Sequence, residues 1–507
     1  MAQFQALRSL WSAAETVWQR LAALPVLRQD ALLYLGSGVL SAGTLAMAVS
    51  NDYREWAAAT IGPYLLAAVL CEAVARHRLR AGSRAPALVS GSAVSPAGEA
   101  LPQGGRVVTA SASGGVLPGR RPTASPAVSA AWALEWLRAS FSRLRRGSGD
   151  RVRAGVIVGL LVFAVFLPLS MQLLFRAQGG NGAHAQPEVA VIERAGDRAM
   201  HAHDIYPANP TSPGSSPRTD SHGLDATAFF PYLPAMAVFG LTNALHIPAA
   251  LADARVALTG FTLLVVIVAL ALVSTEPERR WRAFQVLVVL PTGSLLFVTG
   301  GDDLPVLALM LLSLVLAIRR QPYLSGIAMG LAATLKFSAW GLLVLLAFGI
   351  QDREGRPAYG RYGFAALVMV LPIVGAGIVL GPHSFVLNVI EFPLGLAPVH
   401  SPAQSPLPGQ ELVQLLPRIK TPLTAALVGG AGIAILAALV KWKPRSPEAI
   451  ARFTGLAIVG LMLVAPASRF GYLIYPVNLL VWAYLLRQGK SPATDLVRPG
   501  QLASPTW

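Results

Sequence analysis

The sequence predicts an all-α polytopic membrane protein with about 10–12 spanning helices, and three observations carry that expectation. Hydrophobic residues make up 54% of the 507-residue chain and charged ones only 13%, against about 25% charged in soluble proteins. Too few charges are present to cover a soluble surface of this size, so lipid must solvate most of it. Apolar runs long enough to approach the thickness of a bilayer recur along the chain. The excess of 41 Lys and Arg over 25 Asp and Glu sits on short loops beside those runs, where basic residues orient helices with their cytoplasmic ends. That placement argues for membrane lipid and against nucleic acid as the partner of the +16 charge.

The segments follow in order. Phe4, Leu7, Leu10 and Trp11 with Arg8 and Arg20 have the spacing of an amphipathic interfacial helix. Candidate spans lie at 31–49, 57–75, 154–175, 256–274, 284–299, 304–318, 322–335, 338–350, 364–381, 421–440, 453–467 and 470–487. The first of them serves as an uncleaved targeting signal. The arginines from Arg76 to Arg84, and Arg120, Arg121, Arg138, Arg143, Arg145, Arg146, Arg151 and Arg153, place 76–153 in the cytoplasm. Its middle is rich in Gly, Ser, Pro and Ala and reads as a linker. Trp132, Trp136, Leu137, Phe141 and Leu144 then return to helical spacing on the inner leaflet.

The span at 154–175 runs outward, leaving 176–227 outside. The apolar stretch from Phe229 to Leu245 is broken by Pro231 and Pro234 and reads as a surface helix, because a span there would put Arg279, Arg280 and Arg282 outside. Arg319 and Arg320, Lys441, Lys443 and Arg445, and Arg487 and Lys490 then all fall inside. Four outer places result: the 176–255 loop, Gly300 to Asp303, the 382–420 loop, and Ala465 to Gly471. The chain divides into an N-terminus with two spans (1–75), a basic cytoplasmic linker (76–153), a spanning catalytic domain (154–490) and a cytoplasmic tail (491–507).

Charges converging at the edge of a bilayer are costly and mark a candidate site. Val189, Ile192, Gly196, Ala199 and Met200 recur at three- and four-residue intervals, so 188–200 reads as a short amphipathic helix. Glu188 opens it after Pro187, where the helix dipole favours a carboxylate. Glu193, Asp197 and Asp204 are rival acids nearby. Arg255, Lys336 and Arg469 are the cations that could meet a phosphate, arginine being suited to bidentate contact. Lys336 stands either at the outer tip of a hairpin or inside one long helix over 324–350. If buried, it needs a partner, and Asp302 or Asp303 is the natural one. That acidic pair could instead bind a divalent cation, orient a hydroxyl or cap the next helix.

His184, His201, His203, His222, His246, His383 and His400 fall on the expected outer face, but His201 and His203 are too close for one helical face, which disfavours zinc. The single cysteine, Cys71, excludes a disulfide within the chain. No protein metal site and no cofactor is expected apart from that divalent option. No phosphate-binding loop, dinucleotide fingerprint or serine elbow is present, which argues against nucleotide-fuelled and serine-hydrolase chemistry. The irregular 387–410 stretch is placed to fold over the site.

Several of these segments resemble the C-type polyprenol-phosphate-sugar glycosyltransferases, glycosyltransferase family 87 above all. They are Pro187-Glu188-Val189, then Asp204-Ile205-Tyr206, then Tyr232-Leu233-Pro234, then Thr299-Gly300-Gly301-Asp302-Asp303-Leu304-Pro305, and Ser325-Gly326 through Thr334-Leu335-Lys336. The resemblance spans roughly 154–487. It implies a first outer loop that carries short surface helices and, on Glu188, the family's catalytic carboxylate, an aspartate there. It implies an inverting transfer from a polyprenyl-phosphate sugar, with mannose the implied sugar, to a lipid-linked or cell-envelope glycan or glycolipid on the outer face of the plasma membrane. Tyr206, Tyr232, Asp302, Asp303 and Tyr472 would then contact substrate, and Arg255, Lys336 and Arg469 the donor phosphate. The alternative reading is a transporter or lipid flippase, which would place its charges near the midplane.

Overall fold

The computed structural model describes residues 20–21, 23–48, 50–84, 148–179, 184–207, 228–245, 247–273, 276–397, 403 and 405–487. The expected interfacial helix near Trp11, the linker, the helix around Trp132 and Trp136, the 491–507 tail and His222, His246 and His400 lie outside the described residues. Among those described, the regular elements are all helical. Eight helices are long and apolar enough to cross a membrane, and Asp303–Ile318, Pro322–Leu335 and Phe470–Leu485 are shorter apolar helices. The protein is an all-α polytopic membrane protein.

Two helices form an N-terminal hairpin, α1 (Val26–Met47) and α2 (Asn51–Arg84). A third, α3 (148–179), runs unbroken through a π-helical stretch at Leu161–Phe166. The short helix α4 (Pro187–Met200) follows, then a 3₁₀ helix at Pro234–Ala244 and α5 (Ala254–Leu272). Helix α6 (Pro277–Thr299) contains a π segment and a break at Leu290 before Pro291. After it come α7 (Asp303–Ile318), α8 (Pro322–Leu335), α9 (Trp340–Glu354) and α10 (Arg356–Leu380). The series ends with α11 (Pro408–Leu415), α12 (Lys420–Trp442), α13 (Pro447–Val464) and α14 (Ile474–Leu485).

Several helices begin one or two turns before their apolar run. Proline at the first helical position has no N–H to leave unpaired and a preset φ, so Pro277 and Pro447 start their helices in polar sequence. Thus α6 starts at Pro277 and takes in Arg279, Arg280 and Arg282, ahead of the run at 284. The Phe229–Leu245 stretch does not cross: its 3₁₀ helix lies against α4. The middle helix α7 is buried along nearly its whole length, whereas on α12 only Thr424 is buried. An apolar helix that exposed needs lipid around it.

Two sets of polar contacts mark the two ends of the bundle. At one end Arg153, Arg282 and Gln285 meet Asp30, and Arg279 donates to the Arg487 carbonyl. At the other, Gln186 bonds Thr299, the Leu233 N–H bonds the Leu335 carbonyl, and Lys336 meets Asp302. The second is called the site end.

Candidate functional site

The site end is built around the start of α4. Pro187 opens the helix and Glu188 occupies its first turn. Val189, Ile192 and Gly196 are buried as the spacing requires, but Ala199 and Met200, in the last turn, are exposed. Gly196 and Gly240 let the backbone of α4 touch that of the 3₁₀ helix: a Cβ on either glycine would fall on the other segment's backbone atoms. The close approach fixes α4 against the 3₁₀ helix, and its start lies next to the loop between α13 and α14.

There Arg469 Nη1 donates to Glu188 Oε1 at 2.9 Å. The Glu188 side chain keeps 16% of its surface exposed and Arg469 keeps 35%, so the pair is reachable from outside the protein. The Arg469 guanidinium lies 5.4 Å from the centre of the Tyr472 ring, and Lys336 Nζ lies 5.8 Å from the same ring and 5.4 Å from that of Tyr232. Cations over aromatic faces are held electrostatically.

Lys336 stands at the turn between α8 and α9, with extended backbone. It is both at a hairpin tip and largely buried, and it is paired: Nζ donates to Asp302 Oδ2 at 2.8 Å and to Asp303 Oδ1. Tyr475 also donates to Asp303 Oδ1, at 2.7 Å, and receives a bond from Ser338. Burial disfavours the Lys336 ammonium, but Asp302 and Asp303 outweigh it and hold the group charged above the usual lysine range. Burial raises the Asp302 carboxyl, an effect Lys336 only partly offsets. Burial, then the nearby Asp302 and Glu188 charges, keep the Tyr232 phenol well above its ordinary value, so it remains a hydrogen-bond donor. The turn before this pair needs Gly300, whose φ of +104° is left-handed and whose missing Cβ leaves room for the Val189 side chain.

Glu188, Arg469, Tyr472, Lys336, Asp302, Asp303 and Tyr232 therefore meet at one end of the bundle. Five expected site residues are placed elsewhere. Arg255 has 0% exposure: its guanidinium donates to both Asp253 oxygens, Gln172 and the carbonyls of His184 and Val298. With its donors spent inside the protein, it is not presented to a phosphate. Asp253 remains ionised for the same reason: burial opposes its charge, but Arg255 and Arg176 outweigh that and hold it below the ordinary aspartate value.

Glu193 is buried and gripped by Arg176 at 2.7 and 2.6 Å. Asp197 is exposed and faces His201. Asp204 accepts from its own loop at Tyr206 N–H and from Ser384. Tyr206 is fully buried between Phe230 and Phe385, with its hydroxyl donating to the Tyr232 carbonyl. It supports Tyr232 and presents no surface to solvent.

Sequence reasoning assigned no role to Gln186, Tyr53, Tyr475 or Ser338. The bonds of Gln186 to Thr299 and Tyr53 join segments more than a hundred residues apart and leave no local signal. Among the described residues no His, Cys, Asp and Glu cluster suits a metal ion; at the acidic pair the Lys336 ammonium supplies the positive charge.

The model of glycosyltransferase family 87 matches residues 227–466, just under half the chain, and members of that family are C-type membrane glycosyltransferases. The matched stretch contains Tyr232, Asp302, Asp303 and Lys336; Glu188, Arg469 and Tyr472 lie outside it. No curated protein and no solved structure matches the chain.

Proposed function

We propose, from the premise that the chain is a membrane glycosyltransferase as its family 87 match indicates, that it transfers a sugar from a polyprenyl-phosphate donor to a glycan or glycolipid acceptor, with inversion. The observation that carries this reading is the 2.9 Å contact between Glu188 and Arg469 at an opening of the site end. A base for the acceptor and a cation for the donor phosphate must lie within one sugar's width of each other, and this pair does.

The chemistry follows from the groups present. Glu188 takes the proton of an acceptor hydroxyl as its oxygen bonds to the anomeric carbon. The bond from that carbon to the phosphate oxygen breaks, and the electron pair leaves with the polyprenyl phosphate. Arg469 bonds the growing phosphate charge with the nitrogens not used on Glu188, and the Lys336 ammonium adds charge at the same level. Asp302, Asp303 and the Tyr232 and Tyr472 rings are placed to bond and stack on sugar.

A lipid-linked donor suits a partly exposed pair of charges at one end of a membrane-spanning bundle. The arginine-rich opposite end supports a plasma-membrane orientation with the site on the extracytoplasmic side. Mannose is the sugar the family likeness suggests. The charged clusters lie at the two ends of the bundle, an arrangement that favours transfer over the transporter reading, whose charges belong at the midplane.

The test is transfer by the purified protein from labelled polyprenyl-phosphate mannose to a membrane-lipid extract. Label is expected in a lipid or glycan product, and Glu188→Gln should lower the rate by at least about a hundredfold with the fold intact. No product rejects the donor; undiminished transfer by the variant rejects Glu188 as base.

A further inference from the structure

The hairpin of α1 and α2 lies wholly outside the family match, yet it is bound to the rest of the chain at three levels. At the end away from the site, Asp30 is fully buried and receives Arg153 at 2.7 Å and Arg282 at 2.7 Å, while Gln285 Nε2 donates to Tyr34 at 2.6 Å. Midway, the Tyr64 hydroxyl donates to the Val289 carbonyl at 2.6 Å and meets Ser294 at 2.8 Å, where the π segment of α6 and the break after it leave such groups to be satisfied. At the site end, Gln172 of α3 donates to the Asp52 carbonyl at 2.6 Å. Trp56 beside it is fully buried. An element pinned by buried polar bonds along its whole length is held in one register, because each bond lost there leaves an unpaired group.

What the hairpin presents at the site end is the first turn of α2. Glu55 meets His184 Nδ1 at 2.8 Å, and the Tyr53 hydroxyl accepts from Gln186 Nε2 at 2.7 Å. His184 and Gln186 are the residues that lead into α4. Gln186 has three further ties: its N–H to the Thr299 carbonyl at 2.9 Å, its Nε2 to Thr299 Oγ1 at 2.9 Å, and its own carbonyl receiving Val189 N–H at 3.0 Å. The direction in which α4 leaves Gln186 fixes where Glu188, two residues on, points. Gln186 therefore sits between Thr299 of α6 and Tyr53 of the hairpin, and the half-buried Tyr53 ring lies within electrostatic reach of both Glu188 and Arg469.

We propose that the N-terminal hairpin is a wall of the transfer site, and that Tyr53 is a positioning residue which sets the aim of Glu188 through Gln186. The inference rests on the assignment of Glu188 as base for its catalytic consequence and on the geometry alone for its placement. Tyr53 does not move a proton in the reaction; its hydroxyl accepts the second N–H of the Gln186 amide, the other going to Thr299 Oγ1, so the amide is held from both sides.

The experiment pairs two readouts on the full-length protein in lipid. Tyr53→Phe keeps the ring and deletes the hydroxyl. With labelled polyprenyl-phosphate mannose it should lower kcat on the order of tenfold, with KM for that donor within about twofold of the parent and an unchanged thermal midpoint. A parent-like kcat, or a loss that tracks unfolding, overturns the proposal. Independently of any transfer, Glu188→Cys in a Cys71→Ser background is labelled with a membrane-impermeant maleimide, with and without Tyr53→Phe. The labelling rate should change severalfold when the hydroxyl is lost. If the unmodified protein transfers nothing from the labelled donor, the donor assignment fails while the thiol rates still decide: a changed rate supports positioning by Tyr53, and an equal rate refutes it.

Discussion

Arg469 and Lys336 are both cations at the site, and their surroundings assign them different work. Arg469 has one nitrogen on Glu188 and a third of its side chain exposed, so its fork can receive a phosphate. Arg469→Lys keeps the charge but loses the planar fork; KM for the labelled donor should rise about tenfold with a smaller change in kcat, and an unchanged KM would remove Arg469 from the phosphate. Lys336 is committed to Asp302 and Asp303. Lys336→Met leaves two buried carboxylates facing each other, which should cost about 3–5 kcal/mol, read as a lower thermal midpoint. Adding Asp303→Asn should recover part of that loss; no recovery would show that the pair is not coupled.

Asp253 is the residue whose titration gives a pH expectation. Its folded value is lowered by Arg255 and Arg176 against the cost of burial. Its stabilisation is therefore fully present above its unfolded value, about pH 4, and is lost only as pH falls through the lower folded value. Below about pH 4, Asp253→Asn should flatten the acid limb of a thermal-midpoint titration; parallel limbs would contradict this.

At the scale of elements, α4 is held by three different means. The Gly196–Gly240 approach presses it on the 3₁₀ helix, the Arg176 bridge to Glu193 and Asp253 ties it to α3 and to the start of α5, and Gln186 anchors its first residue. Gly240→Ala would force α4 away, because a Cβ there meets the Ile192 carbonyl and backbone cannot step aside as a side chain can. Overpacking of this kind costs about 1–3 kcal/mol. Since α4 carries Glu188, transfer should fall much more than global stability does, measured as rate and thermal midpoint on the same sample. The amphipathic spacing of this helix, its proline start and its first-turn acid were all legible, because short-range periodicity encodes them. Arg255 was misplaced for the opposite reason. An arginine opening a helix at the membrane edge reads identically whether it faces a cavity or folds back, and only the packing of α3, α5 and α6 turned it inward onto Asp253.

Across the whole molecule, the hairpin of α1 and α2 is fixed at both ends by buried polar contacts. Asp30→Asn leaves Arg153 and Arg282 with one charge-bearing partner fewer in a buried setting, a loss of about 3 kcal/mol. If the hairpin is a wall of the site, transfer should fall with it even though Asp30 sits at the far end of the bundle; full transfer alongside lowered stability would confine Asp30 to a structural role.

The sequence by itself determined that the chain lives in lipid, which runs are apolar, which loops are basic, and that acids and cations recur in the segments that became the site end. These properties are one-dimensional: hydrophobic length, charge parity and helical period survive without knowledge of neighbours. The tertiary structure decided which of those charged residues meet. Glu188 and Arg469 are 281 positions apart and touch, while Arg255 and Glu193, equally eligible by type and position, are consumed in the core. Side-chain direction is set by which helices pack against which, and a buried charge goes wherever a partner can repay its lost hydration. That choice depends on contacts between helices that only the packed bundle brings together, and no local pattern contains it.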